Sequence, residues 1–256
     1  MSLFGKNKVS NKATGTSSNV GNDIGSTTTR EYTGKVTLEK ATAGLDRHIV
    51  SLKKERGVDL SKHRARVVVV IDRSGSMSGL YNNGSVQTTL TRLLPLGLRF
   101  DDNGEVEVYA FSDGFNKLKP MTKDNFDDYV ERKMRKLPYG GTNYAPVLKQ
   151  VLKDYDDGSP YPTFVIFITD GSNWDTAETD KVIIKSAKKK HKLFVQFVGI
   201  GGDSFSYLRK LDDLGGREAD NTAFVAVKDL NKLSDDELYQ KLLEQYIPWL
   251  KELGIN

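Results

Sequence analysis

The chain has 256 residues, enough for one large domain or two small ones. It contains no cysteine, which excludes a disulfide framework and any cysteinyl metal site. Its 38 basic and 34 acidic residues leave a net charge of only +4. That lacks the sharp basic excess of a nucleic-acid binder, so no nucleic-acid partner is expected.

Residues 1–34 are rich in Ser, Thr, Asn and Gly with almost no apolar periodicity, the composition of a disordered polar tail. They hold no apolar run long enough for a signal peptide, and no later segment resembles a membrane span. With no cysteine to oxidise, the expected setting is the cytoplasm, with membrane association only through partners. Leu38, Ala41, Leu45, Ile49 and Leu52 then keep a helical spacing, and Gly57 offers a stop. Residues 35–60 therefore read as an N-terminal helix packed by one face onto a domain covering 61–256.

From Arg66 onward strand and helix signals alternate. "RVVVVI" is a continuous apolar strand, and Ser85–Phe100 is a leucine-rich helix that Pro95 should bend. Glu105–Phe111 is a strand, and Phe115–Met121 a short edge strand suited to its proline. Lys123–Leu137 is amphipathic and helical, as is Asn143–Tyr155. Pro162–Asp170 is a second fully buried strand. Helix Thr179–Lys190 ends in a lysine cluster that complements the helix dipole, and strand Lys192–Ile200 follows. A short helix at Ser204–Leu214 and a last strand at Thr222–Val227 precede the closing helix, Ser234–Leu253. Ser234 and Glu237 form a capping box for it.

Strands alternating with helices predict an α/β fold: a doubly wound, mostly parallel open sheet with helices on both faces. In such sheets ligands sit beyond the carboxyl ends of the strands, where strand order reverses. Three segments place oxygens there. "DRSGSM" carries Asp72, Ser74 and Ser76, "GGTNYAP" carries Thr142, and "ITDG" carries Asp170. Carboxylates and hydroxyls are hard ligands, suited to Mg²⁺, Mn²⁺ or Ca²⁺. The Asp-x-Ser-x-Ser spacing on a tight turn lets three side chains converge. An incomplete protein cage is normal for Mg²⁺, which keeps several waters.

These three segments resemble the metal-ion-dependent adhesion site of von Willebrand factor A domains, matched in order at all five positions. Within that family, "GTNYAP" and "PTFVIFITDG" look most like copines and the von Willebrand A proteins of the bacterial tellurium-resistance (Ter) group. The resemblance spans roughly 64–253. It implies that Ser74, Ser76 and Thr142 touch a Mg²⁺ or Mn²⁺ ion, with Ca²⁺ less favoured, while Asp72 and Asp170 act largely through water. It implies a non-enzymatic protein-binding module whose ion draws an Asp or Glu from a partner protein, in a stress-response or tellurium-resistance assembly. In related domains the closing helix shifts as the threonine enters or leaves the inner shell.

Asn143, Tyr144 and Trp174 flank the loops and are candidates for a partner-binding rim, aromatic side chains being favoured interface anchors. The alternative function is a metal-dependent, phosphatase-like hydrolase on the same oxygen set. It lacks a histidine near the loops and a second aspartate two residues after Asp72. "GSMSG" fails the serine-hydrolase pattern at Met77, "GIGGDS" lacks the third dinucleotide-loop glycine, and His48, His63 and His191 are scattered.

Overall fold

A computed structural model describes residues 23–255 apart from Ser172 and Asp203, with side chains from Thr37 onward. The run of valines in the first strand, β1 (Arg66–Asp72), has a simple cause. Successive side chains of a strand point to opposite faces. Val67, Val69 and Ile71 enter one apolar core, Val68 and Val70 the other, and all five are 1% exposed or less. With both faces covered there is no solvent side on which a polar residue would be free of cost.

Five more strands follow: β2 (Glu107–Phe111), β3 (Phe115–Lys117), β4 (Thr163–Thr169), β5 (Leu193–Ile200) and β6 (Thr222–Val227). Their order across the sheet is β3-β2-β1-β4-β5-β6. All neighbours are parallel except the edge pair β2–β3. The chain builds outward from β1 on one side, then crosses back to begin again at β4. The switch point lies between the carboxyl ends of β1 and β4, where Ile71 pairs with Ile168.

The helices are α1 (Asp23–Arg56), α2 (Ser78–Asn82), α3 (Ser85–Phe100), α4 (Tyr129–Lys133), α5 (Ala145–Tyr155), α6 (Thr176–Ser186), α7 (Ser206–Asp212), α8 (Asp235–Leu243) and α9 (Tyr246–Glu252). Apolar residues of α1, α3, α8 and α9 share the core with Val67, Val69 and Ile71. Those of α5, α6 and α7 share the other core with Val68 and Val70. The α/β architecture expected from the sequence is the one observed.

Three elements differ most from their expected bounds, and the edge strand β3 also stops at Lys117 short of the expected Met121. α1 starts at Asp23, inside the stretch assigned to the polar tail, while residues 1–22 lie outside the described residues. Extension from a packed helix needs no new nucleus, so a polar segment can follow it. The stop is as expected: Gly57 takes φ +65, and the Val58 N–H reaches back to the Leu52 carbonyl at 3.2 Å.

The helix expected at Lys123–Leu137 shrinks to Tyr129–Lys133. A local turn and tertiary bonds claim its first turns: Asn125 accepts the Thr122 N–H at 2.9 Å, and Gln87 of α3 both accepts the Val130 N–H and donates to the Phe126 carbonyl. The closing helix is two helices broken at Glu244–Gln245. Pro248 has no N–H to donate four residues back, and its ring crowds the Glu244 carbonyl. The capping box is present, with the Glu237 N–H 3.2 Å from Ser234 Oγ and the Ser234 N–H 2.9 Å from the Glu237 carboxylate.

His63 and His191 are buried structural groups. Nε2 of His63 lies 3.0 Å from the Tyr246 hydroxyl. Burial, with the Arg64 charge adding to it, depresses the His63 pKa to about 4. The unfolded imidazole keeps a value near 6.5 and so binds the extra proton between those two pH values. Burying His63 therefore costs nothing in proton linkage above pH 6.5 and destabilises the fold as pH falls from 6.5 towards 4, by about 3 kcal/mol at most. An NMR titration of the imidazole is expected to give a midpoint near 4; a midpoint near 6.5 would refute the account.

Candidate functional site

β1 ends in Asp72, whose residue is 0% exposed. Its Oδ1 accepts the Ser74 N–H at 2.6 Å, which closes the turn that follows the strand. Its Oδ2 accepts the Thr169 hydroxyl, also at 2.6 Å. Burial raises its pKa to about 6 against the lowering effect of these two bonds, and the Asp170 charge raises it further. The carboxylate is thus held at the base of the β1–β4 crevice.

Exposure increases along the turn: Ser74 is buried and Ser76 is open to solvent. The Ser74 and Ser76 hydroxyl oxygens are 3.1 Å apart. Ser76 Oγ then donates to Asp170 Oδ1 at 2.9 Å, from the residue that follows β4. Four of the five predicted oxygen donors are therefore joined through Asp72, the turn and Asp170.

Thr142 arrives by its backbone. Gly140 forms a bridge with Ser74, its carbonyl accepting the Gly75 N–H at 3.1 Å. Two residues on, the Thr142 carbonyl accepts the Trp174 N–H at 3.0 Å. The loop carrying Thr142 is therefore pinned to the first turn on one side and to the segment after Asp170 on the other. The two glycines before Thr142 have a steric cause. A Cβ on Gly141 would lie 2.5 Å from the Asp113 carboxylate and 3.1 Å from the Trp174 ring, and Asp113 blocks Gly140 as well. Asp113 also accepts the Gly141 N–H at 2.9 Å.

The rim residues divide. Trp174 is 79% exposed and stands over Gly141. Asn143 is half-buried and donates to the Asp113 carbonyl at 3.2 Å. Tyr144 is not a rim residue: it is 0% exposed, packs between Phe111 and Phe167, and donates its hydroxyl to the Gly171 carbonyl at 2.5 Å. It sits at the start of α5, where the inward face of the helix meets the sheet, so burial overrides the surface role expected from its position.

Three residues with clear roles were not singled out by sequence reasoning. Thr169 bonds the Asp72 carboxylate and lies next to Asp170 in the chain, a signal that adjacency offers. Asp175 accepts the N–H groups of Tyr144 and Ala145 at 3.0 and 2.7 Å, capping α5 from a different loop. Arg73 lies between two predicted ligands but turns the other way, to the Leu137 and Arg135 carbonyls. Contacts across loops leave no local sequence signal.

Chemically, the set is two carboxylates and two hydroxyls at the mouth of a parallel sheet, with the Thr142 backbone pinned beside them. Among the described residues no group of three or more His, Cys, Asp or Glu side chains is placed to hold a metal. Any ion here would rest on hydroxyls for a large part of its shell. No helix among the described residues is long and apolar enough to cross a membrane.

Comparison with known proteins agrees with this fold. The chain is 40% identical over 218 residues to the uncharacterized protein YcbR of Bacillus subtilis (strain 168), covering 83% of this chain and 88% of that one. It is 30% identical over 166 residues to copine-E of Dictyostelium discoideum, covering 57% of this chain and only 28% of copine-E. Among solved structures, proximal thread matrix protein 1 of the mussel byssus, in a form with a zinc-occupied adhesion-site motif, aligns with a TM-score of 0.52 at 19% identity. That alignment covers 72% of this chain and 48% of the mussel protein. The N-terminal domain of TFIIH p34 aligns with a TM-score of 0.51 at 12% identity, covering 72% and 99%. At these identities the structures speak for the fold alone. The model of the von Willebrand A domain found at the C terminus of TerF matches residues 64–255, and the chain belongs to that TerF-like von Willebrand A family.

Proposed function

We propose that the protein is a non-enzymatic binding module of the cytoplasm that holds a divalent cation, Mg²⁺ or Mn²⁺, and uses it to take an acidic group of a partner protein. Von Willebrand A domains typically serve protein interaction, which sets the class. Ser74, Ser76 and Thr142 would supply hydroxyls to the ion, and Asp72 and Asp170 would hold its waters.

One observation carries the reading: the spacing of the oxygens. Neighbouring ligands on an octahedral ion with bonds of about 2.1 Å stand about 3.0 Å apart. Ser74 and Ser76, two of the proposed inner ligands, have their hydroxyl oxygens 3.1 Å apart, and Asp170 bonds the second of them from outside at 2.9 Å. Neutral hydroxyls leave most of the ion's charge unbalanced. Such an ion favours an anionic donor at an open position, and Ser76 is on the solvent side. Trp174, exposed beside that position, is the best-placed rim residue for a partner. The family match to the TerF C-terminal domain supports placing this interaction in a tellurium-resistance or stress-response assembly.

The test is Mn²⁺ binding followed by electron paramagnetic resonance, then capture of partners from cytoplasm with and without Mg²⁺. Wild type is expected to bind, and Thr142→Ala to bind about tenfold or more weakly and to lose the magnesium-dependent partner. Capture that ignores both metal and Thr142 would count against the proposal. Metal-dependent phosphatase turnover abolished by Asp72→Asn would replace it with the hydrolase reading.

A further inference from the structure

Arg73 occupies an unusual place. It sits between Asp72 and Ser74 in the chain, is 4% exposed, and carries a charge that contributes no donor to the oxygen set. Its Nε and Nη2 both donate to the Leu137 carbonyl, at 3.2 and 2.9 Å, and Nη2 also reaches the Arg135 carbonyl at 3.4 Å. The guanidinium lies over two rings, 4.5 Å from the centroid of Tyr81 and 4.1 Å from that of Tyr139. Tyr81 in turn donates its hydroxyl to the Asp72 carbonyl at 2.9 Å. One side chain thus ties the first loop of the site to the segment 135–139 that leads into the Thr142 loop.

That segment needs outside support. Gly140 and Gly141 must be glycine because Asp113 fills the space a side chain would take. Two consecutive glycines leave Thr142 on the least restrained stretch of backbone available. Two residues separate the gripped Leu137 carbonyl from Gly140, Pro138 and Tyr139, and Pro138 has its φ fixed. Holding Leu137 and stacking on Tyr139 therefore carries directly to Gly140, whose carbonyl meets the Gly75 N–H.

We propose that Arg73 is a positioning residue of the cation site: by gripping residues 135–139 it keeps Gly140–Thr142 in register with the Ser74–Ser76 turn and so delivers the Thr142 hydroxyl. This rests on the cation-binding reading above. Two effects of the guanidinium oppose each other. Its charge repels a nearby dication, while its grip on the loop favours binding. The two are separable because lysine keeps the charge but lacks the planar fork.

The experiment measures Mn²⁺ affinity for wild type, Arg73→Lys, Arg73→Met, Thr142→Ala and Arg73→Met with Thr142→Ala. Urea denaturation confirms that each variant is folded. Both Arg73 variants are expected to weaken Mn²⁺ binding by about 10- to 100-fold, the usual effect of losing a group that orients a ligand. The double variant is expected to bind no more weakly than the weaker single variant, because both changes act through one hydroxyl. Tighter binding by Arg73→Met would show that charge repulsion dominates, and losses that multiply would show independent roles; either overturns the proposal.

A second readout needs no metal. In EDTA, the Gly75 and Trp174 amides, bonded to the Gly140 and Thr142 carbonyls, are expected to exchange about tenfold faster or more in Arg73→Lys. The Val195 amide, bonded to Asn221 on the far side of the sheet, is expected not to change. Unchanged exchange at Gly75 and Trp174 overturns the positioning role even if wild type takes no Mn²⁺. Absence of Mn²⁺ binding with accelerated exchange removes the cation reading alone.

Discussion

Asp72→Asn is expected to abolish Mn²⁺ binding and, in the same protein, to raise the stability of the metal-free fold at pH 7.5. The two effects have one cause. The Asp72 carboxylate is 0% exposed at the base of the crevice, where burial disfavours its charge and the Asp170 charge adds to the cost. Its pKa is raised to about 6 from an ordinary 3.8. The sign follows from proton counts: between those values the folded state holds the proton and the unfolded state does not. The penalty of the ionised form is complete above about pH 6 and is relieved as pH falls towards 4. At pH 7.5 it amounts to about 3 kcal/mol at most. Asparagine keeps an oxygen for the Ser74 N–H and a group to face Thr169, so the variant is expected to gain about 1–3 kcal/mol.

Urea denaturation in EDTA checks this at two pH values. The gain is expected at pH 7.5 and to shrink at pH 5, where the wild-type carboxyl is already neutral. A variant less stable than wild type at pH 7.5 would show that the carboxylate's two hydrogen bonds outweigh its desolvation. Excess Mn²⁺ is expected to reverse the order, because only the wild type gains from binding a ligand to the folded state. Under the proposed function, such a loss in the metal-free protein is the expected mark of a residue kept for a charge it must present.

Arg92→Met is expected to cost about 3–5 kcal/mol, the largest single loss of stability we foresee outside the apolar core. Arg92 of α3 is 5% exposed. Its Nε donates to the Asp235 carboxylate at 2.7 Å, Nη1 to the Leu230 carbonyl at 2.6 Å and Nη2 to the Leu233 carbonyl at 2.8 Å. Its own carbonyl accepts the Tyr239 hydroxyl at 2.6 Å. The methionine keeps the apolar stem but leaves one carboxylate and two carbonyls without that donor. Removing the buried partner leaves two carbonyls without that donor and Asp235, whose side chain is only 20% exposed, without its counter-charge, and such losses cost more than the bonds themselves contribute.

α1 adds to the cost. A Cβ on Gly44 would lie 2.5 Å from the Asp235 Cβ, so α1 is seated directly against the residue that Arg92 holds. Arg92→Lys is expected to restore little, since a single ammonium cannot reach three acceptors on different sides. Denaturation midpoints measure the loss. Hydrogen exchange is expected to localise it to α8, whose start those bonds fix. A midpoint within about 0.5 kcal/mol of wild type would mean that the loop 230–235 adjusts freely.

The sequence by itself determined the alternation of strands and helices, the two-sided burial of β1 and β4, the capping box at Ser234 and the order of the oxygen-bearing segments. Each rests on near neighbours in the chain: a two-residue side-chain period, a run of apolar residues, a hydroxyl three positions before a glutamate. The same local logic read Lys123–Leu137 as one helix and Ser234–Leu253 as another. It failed where a distant group competed for the backbone, as Gln87 does at Phe126 and Val130, or where Pro248 acted one turn upstream. Only the tertiary structure decided that Tyr144 lies under the site rather than around it, and that Trp174 stands exposed beside it. It alone brought Arg73, Asp113, Thr169 and Asp175 to the loops that carry the oxygens. Those contacts join residues 28 to 97 positions apart, except where the chain turns on itself, and no short-range pattern encodes which distant carbonyl a buried side chain will reach.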